Sequence, residues 1–125
     1  MLISPDIKST MAIPRKIQAL IDRLNEELDR TEQQAIEGLN LVRPALFLFP
    51  DNAILMQFFA TINNVIFAVE IYRRRIQVTG DTLSAMNVDF SEIQEAGEEL
   101  ATILGLVLEA KIRVERIISS LENLS

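Results

Sequence analysis

The chain has 125 residues, a length suited to one domain around one core. Eighteen Asp and Glu outnumber twelve Lys and Arg, for a net charge of −6 and a pI near 4.6. That balance disfavours sequence-independent binding to nucleic acid, which depends on neutralising phosphates. There is no Cys and no His, so disulfides, thiolate metal sites, Ser-His-Asp and Cys-His catalysis and the Glu-x-x-His di-iron motif are all ruled out.

Residues 1–12, MLISPDIKSTMA, show no periodicity and read as an irregular N-terminal segment. The start Met1-Leu2-Ile3-Ser4-Pro5-Asp6 lacks the basic n-region and long apolar run of a signal peptide, so the expected location is cytoplasmic. Met11 offers an alternative translation start.

A first helix is predicted over about 13–42. Pro14 suits a first helical turn, where its missing N–H has no helical partner. Ile13, Ile17, Leu20, Ile21, Leu24, Leu28, Thr31, Ala35, Leu39 and Val42 then form one stripe at helical spacing. Asp22, Glu26, Asp29, Gln33, Glu37 and Asn40 form the opposite, solvated face. Arg43-Pro44 is expected to break or kink this helix, with a short helical turn at 45–48. Pro50-Asp51-Asn52 reads as a turn, with Asp51 as the expected N-cap of the next helix. So short a connection makes the two helices antiparallel.

The second helix, about 52–78, is predicted to be central. From Ala53 to Ile76 it contains no Gly or Pro and holds the only Tyr of the chain. Ile54, Leu55, Phe58, Phe59, Ile62, Val65, Ile66, Val69, Tyr72 and Ile76 fall in one sector about 140° wide. A second apolar stripe lies on the far side: Met56, Ala60, Phe67 and Ile71, with Asn63 and Asn64 in its gap. A helix apolar on both sides is normally buried on both sides, and one short chain covers only one of them easily. The far stripe is therefore expected to meet another copy, with Asn in the seam fixing register; the alternatives are a different protein or the chain's own N-terminal segment. A membrane span is disfavoured because Gln57, Asn63, Asn64 and Glu70 sit inside the stretch. The helix is expected to end before Gly80, with Arg73, Arg74 and Arg75 complementing the dipole in its last turns. These three fan over about 200° of the helix and so do not converge on one anion.

A third helix is predicted over about 91–122, capped by Asp89 or by Ser91 in a Ser-x-x-Gln box with Gln94. Ile93, Ala96, Leu100, Ile103, Val107, Ala110, Val114, Ile117, Leu121 and Leu124 follow a/d heptad spacing, which predicts coiled-coil-like packing. Gly97, Ala101 and Gly105 place a small residue at every fourth position, the pattern of a close helix crossing, expected against the second helix.

No phosphate-binding glycine loop occurs. The one chemistry left is a carboxylate–Mg²⁺ site of the kind used by helical nucleotide hydrolases, from among Glu26, Glu27, Glu92, Glu95, Glu98 and Glu99. The residues therefore predict an all-α, up-down-up bundle of three long helices, completed by dimerisation. The expected role is a non-enzymatic scaffold without cofactor or metal, associating through Met56, Ala60, Asn63, Asn64, Phe67, Ile71, Gly97, Ala101 and Gly105. An adaptor for a different protein and a carboxylate–Mg²⁺ hydrolase are the alternatives.

Overall fold

The structure, a computed structural model, describes residues 13–85 and 88–124. The reading of residues 1–12 as irregular lies outside them. Three helices follow one another: α1, Arg15–Leu48; α2, Ala53–Ser84; and α3, Phe90–Glu122. They run up, down and up, and the 34 residues of α1 give a rod about 51 Å long at 1.5 Å per residue. No strand occurs among the described residues.

The heptads and stripes become the core. On α1 the series from Ile17 through Leu24, Leu28, Ala35 and Val42 is buried. On α3 the a/d positions Leu100, Ile103, Val107, Val114, Ile117 and Leu121 are buried, while Leu124 lies beyond the helix and is exposed. On α2, Leu55, Ile62, Val65, Val69 and Ile76 are buried, with Phe58, Phe59, Ile66 and Tyr72 half-buried against them. Ile54 differs from its expected inward position: it lies at the end of the bundle and is exposed. α2 packs against both other helices, and α2 and α3 touch each other less closely than either touches α1. α1 accordingly buries ten positions against six on each of the others. Small residues permit this close approach. A Cβ on Gly38 would stand 2.9 Å from Ile62 Cδ1, so α2 seats its most buried isoleucine against bare α1 backbone.

Helix boundaries depart from the sequence reading in three places. α1 does not break at Pro44 but continues to Leu48. Pro44 is exposed, as is Asn40, whose carbonyl loses its helical donor. Val42, Ala45 and Leu46 meanwhile pack inward and hold the turn in place. The N-cap of α2 is Asn52, not Asp51: its Oδ1 accepts from the N–H groups of Ile54 and Leu55, both at 3.0 Å. Both residue types cap well, and the Pro50-Asp51 turn decides between them. Finally, α2 runs through Gly80 to Ser84. Leu83 is buried one turn later, and Gly80 lies 3.8 Å from Ile21 Cδ1 at its Cβ position, in ordinary contact. Burial of Leu83 offsets the roughly 1 kcal/mol cost of a mid-helix glycine. At α3, Asp89 is the cap, accepting from Glu92 N–H at 2.8 Å.

The seams carry ion pairs. Arg73 reaches α1 at Asp29 (2.9 Å) and Glu32 (3.2 Å), and Arg75 reaches Glu99 of α3 at 2.7 Å. The arginines thus hold helices together rather than complementing a helix end, since the last turn of α2 holds no basic residue. Between α1 and α3, Lys111 Nζ lies 3.0 Å from Glu27 Oε1, and both side chains are mostly covered.

Candidate functional site

Residues that follow the core of α2 at half a turn's remove must face away from the bundle, because successive residues step by about 100°. Met56, Ala60, Asn63, Phe67 and Ile71 do so, and all are exposed. Phe67 is 64% exposed and Met56 53%, large values for apolar side chains in the middle of a folded element. Val78 extends the same line with 59% exposure. Sequence reading missed it because the helix was expected to stop there. The stripe from Met56 to Val78 is about 33 Å long at 1.5 Å per residue. Polar side chains interrupt and flank it: exposed Glu70 falls within about 20° of Asn63 on the helix. Asn63 Nδ2 donates to the Phe59 carbonyl at 3.0 Å, a back-bond within the helix. Arg74 stands exposed between Ile71 and Val78, and unlike Arg73 and Arg75 it has no partner among the described residues.

The other expected interface residues do not join this face. Asn64 turns to the groove between α2 and α3, which Val65, Ala68, Tyr72, Leu106, Glu109, Ala110 and Arg113 also line. Gly97 packs on α1, not on the aromatic α2: its Cβ position lies 3.2 Å from Ile17 Cδ1. Ala101 and Gly105 are exposed, and a Cβ on Gly105 would meet nothing within 4 Å. The small residues of α3 therefore make no crossing with α2 in this chain. Spacing placed them on one helix side; only the three-dimensional arrangement shows which way that side looks.

A second apolar surface lies at the end of the bundle where α1 turns into α2 and α3 finishes. Leu41, Ala45, Leu48, Phe49, Asn52, Leu55, Leu121 and Leu124 line a groove of about 570 Å³ there. Phe47 stands beside it, 86% exposed. Sequence reading passed over it. The run Leu46-Phe47-Leu48-Phe49-Pro50 was the available signal, since an apolar run at a helix–helix corner cannot all turn inward.

The carboxylates do not assemble a metal site: among the described residues no group of three or more potential ligands converges. Glu26 pairs with Arg30 at 3.3 Å, Glu27 with Lys111 and Glu99 with Arg75. Glu92 and Glu95 share a shallow groove with Glu99 near the far end of α2 without closing on a common point. α2 is also long and apolar enough to cross a membrane, with a mean hydropathy of 1.6 over its most apolar window, of which 22% is buried in the bundle. Comparison with protein-family models, curated proteins and solved structures finds no match.

Proposed function

We propose that this chain is a non-enzymatic helical interaction module that associates with itself through the outward face of α2. One observation carries the reading: Met56, Ala60, Phe67, Ile71 and Val78 form an exposed apolar line on the solvent side of a helix whose other side is already in the core. Aligned exposed apolar side chains of this kind suit association, because their removal from water is favourable by roughly 25 cal/mol per Å². Phe67 is the anchor, as a large ring near the middle of such a patch carries a disproportionate share of binding energy. Placing a carboxylate there tests the proposal. Phe67→Glu is expected to weaken self-association at least about a hundredfold, as for loss of a hot-spot aromatic, with unchanged helix content by circular dichroism. A variant that associates as tightly as the wild type contradicts it.

The reading includes a cytoplasmic location and neither membrane nor nucleic acid as partner. It is supported by the packing of Leu55, Ile62, Val65 and Val69 of α2 into the bundle core and by the acidic charge. The groove at the α1–α2 corner favours a second reading, an adaptor for a different protein, because Phe47, Leu48, Phe49 and Leu124 present apolar surface that the α2 stripe does not use. A monomeric wild type whose binding of a hydrophobic dye falls in Phe49→Glu and not in Phe67→Glu would support that second reading.

A further inference from the structure

The outward face of α3 complements itself in one direction, and we infer that it is a second docking face for another copy of this chain, seated antiparallel with α3 against α3. It lies on a different helix from the α2 stripe and does not depend on it.

The 100° step identifies the residues of α3 that stand opposite its buried row. Glu98, Ala101, Gly105, Leu108, Ile112 and Arg116 fall within about 60° of that direction. All are exposed except Leu108, which is half-buried, and Ile112 is 47% exposed. Along the chain the line reads acid, small, small, apolar, apolar, base. Neither Glu98 nor Arg116 has an ion-pair partner among the described residues. A two-fold axis level with Leu106 and Val107 sets Arg116 of each copy beside Glu98 of the other. It sets Ile112 against Ala101, and Leu108 against Gly105, whose Cβ position has nothing within 4 Å. Ser119 meets Gln94 farther out. One axis serves all four pairings. Glu98 and Arg116 also share one flank of the helix, being about five full turns apart, and such an axis keeps like flanks together. A parallel pair instead sets Glu98 towards Glu98 and Arg116 towards Arg116, and like charges face to face oppose association. It also leaves Gly105 facing Gly105 across a gap.

The other charges of α3 fit this arrangement with one exception. Glu95 and Arg113 stand about 90° from the centre of the face, at its edge, and Glu95 comes near Arg116 of the other copy. Glu115 is turned to α1, where Gln34 Nε2 donates to it at 3.2 Å. Glu109 is the exception: it finds no opposite charge and lies about 7.5 Å along the axis from its own equivalent. Four apolar levels make a contact smaller than the usual stable interface. The pairing therefore belongs to roughly hundreds of micromolar, above the range of the α2 contact.

Sedimentation equilibrium at that concentration tests it, in the Phe67→Glu chain so that the α2 stripe is disabled. Its mass is expected to rise above the 14.1 kDa of one chain. Arg116→Glu should raise the Kd about tenfold, and adding Glu98→Arg should restore it. Glu109→Gln should tighten the pair. The chain contains no cysteine, so disulfide formation, which needs Cα atoms within about 7 Å, reports the direction. Ala101→Cys and Ile112→Cys should cross-link when mixed and not alone, since equivalent positions lie about 16 Å apart along the axis. A mass that stays at 14.1 kDa overturns the inference, as does an Arg116→Glu variant that associates equally well. Ala101→Cys cross-linking to itself as readily as to Ile112→Cys overturns the antiparallel arrangement. If Phe67→Glu and the wild type have equal mass at every concentration while Arg116→Glu lowers both, the α3 face holds and the α2 reading fails.

Discussion

Glu27 and Lys111 show how a single residue can matter more than its surface neighbours. The Glu27 side chain is 11% exposed and that of Lys111 22%, with 3.0 Å between them. A charge so placed is tolerable only because its partner is there. Lys111→Met is expected to cost about 2–4 kcal/mol in urea unfolding, because it strands a covered carboxylate, and Glu27→Leu added to it should recover most of the loss. Equal stability in the single variant would show that water reaches Glu27 freely. By contrast, Arg30 with Glu26 is an exposed i, i+4 pair, and removing it should change stability by a few tenths of a kcal/mol at most. The glycines differ in the same way. Gly105 has open space around its Cβ position, so Gly105→Ala should stabilise the fold by about 0.5–1 kcal/mol through backbone entropy alone. It should leave dimerisation through the α2 stripe unchanged, since that stripe lies elsewhere. Gly38 faces Ile62 at 2.9 Å, so Gly38→Val should instead lower the melting temperature, its added methyls meeting a fully buried neighbour.

Single elements follow their apolar period closely and their punctuation less so. The stripes of α1 and α3 were legible because residues such as Leu24, Leu28, Ala35, Leu100 and Val107 repeat at helical spacing, and burial of that face outweighs everything else locally. Pro44 and Gly80 misled for one shared reason. Each is a strong local breaker, and each is overridden by apolar residues on both sides, Val42 with Leu46 in one case and Ile76 with Leu83 in the other. Such override has a measurable size. Pro44→Ala should stabilise the chain by about 1–3 kcal/mol, since it returns a helical hydrogen bond on the solvent side of α1 and removes no core contact. No gain in thermal or urea stability would mean that the turn after Pro44 is held too loosely to benefit. The outward face of α2 was also readable, from the second apolar series Met56, Ala60, Phe67 and Ile71. The relation of that face to Gly97, Ala101 and Gly105 was not, because helical spacing defines a side of one helix and says nothing of which neighbour it meets.

At the scale of the whole molecule, three helices close one core and leave apolar side chains exposed, among them those on the outward face of α2 and at the α1–α2 corner. The corner groove was legible in the sequence only as the apolar run Leu46-Phe47-Leu48-Phe49; its full lining was not, because Phe49, Leu55 and Leu121 meet only after the chain has doubled back twice. The α2 stripe is the longer of the two and lies on a rigid helix rather than on a turn. A flat helix face about 33 Å long, together with its flanks, has room for an interface at the lower end of the usual 1,200–2,000 Å² of total buried area. A dimer is expected to form at micromolar concentration and to depend on few residues, Phe67 first among them. Molar mass in solution, by light scattering after size exclusion, tests this most directly. The wild type should elute at twice the 14.1 kDa of one chain and Phe67→Glu at that single mass, with the same helix content. A wild type of 14.1 kDa at concentrations of tens of micromolar would contradict self-association as the role of this face.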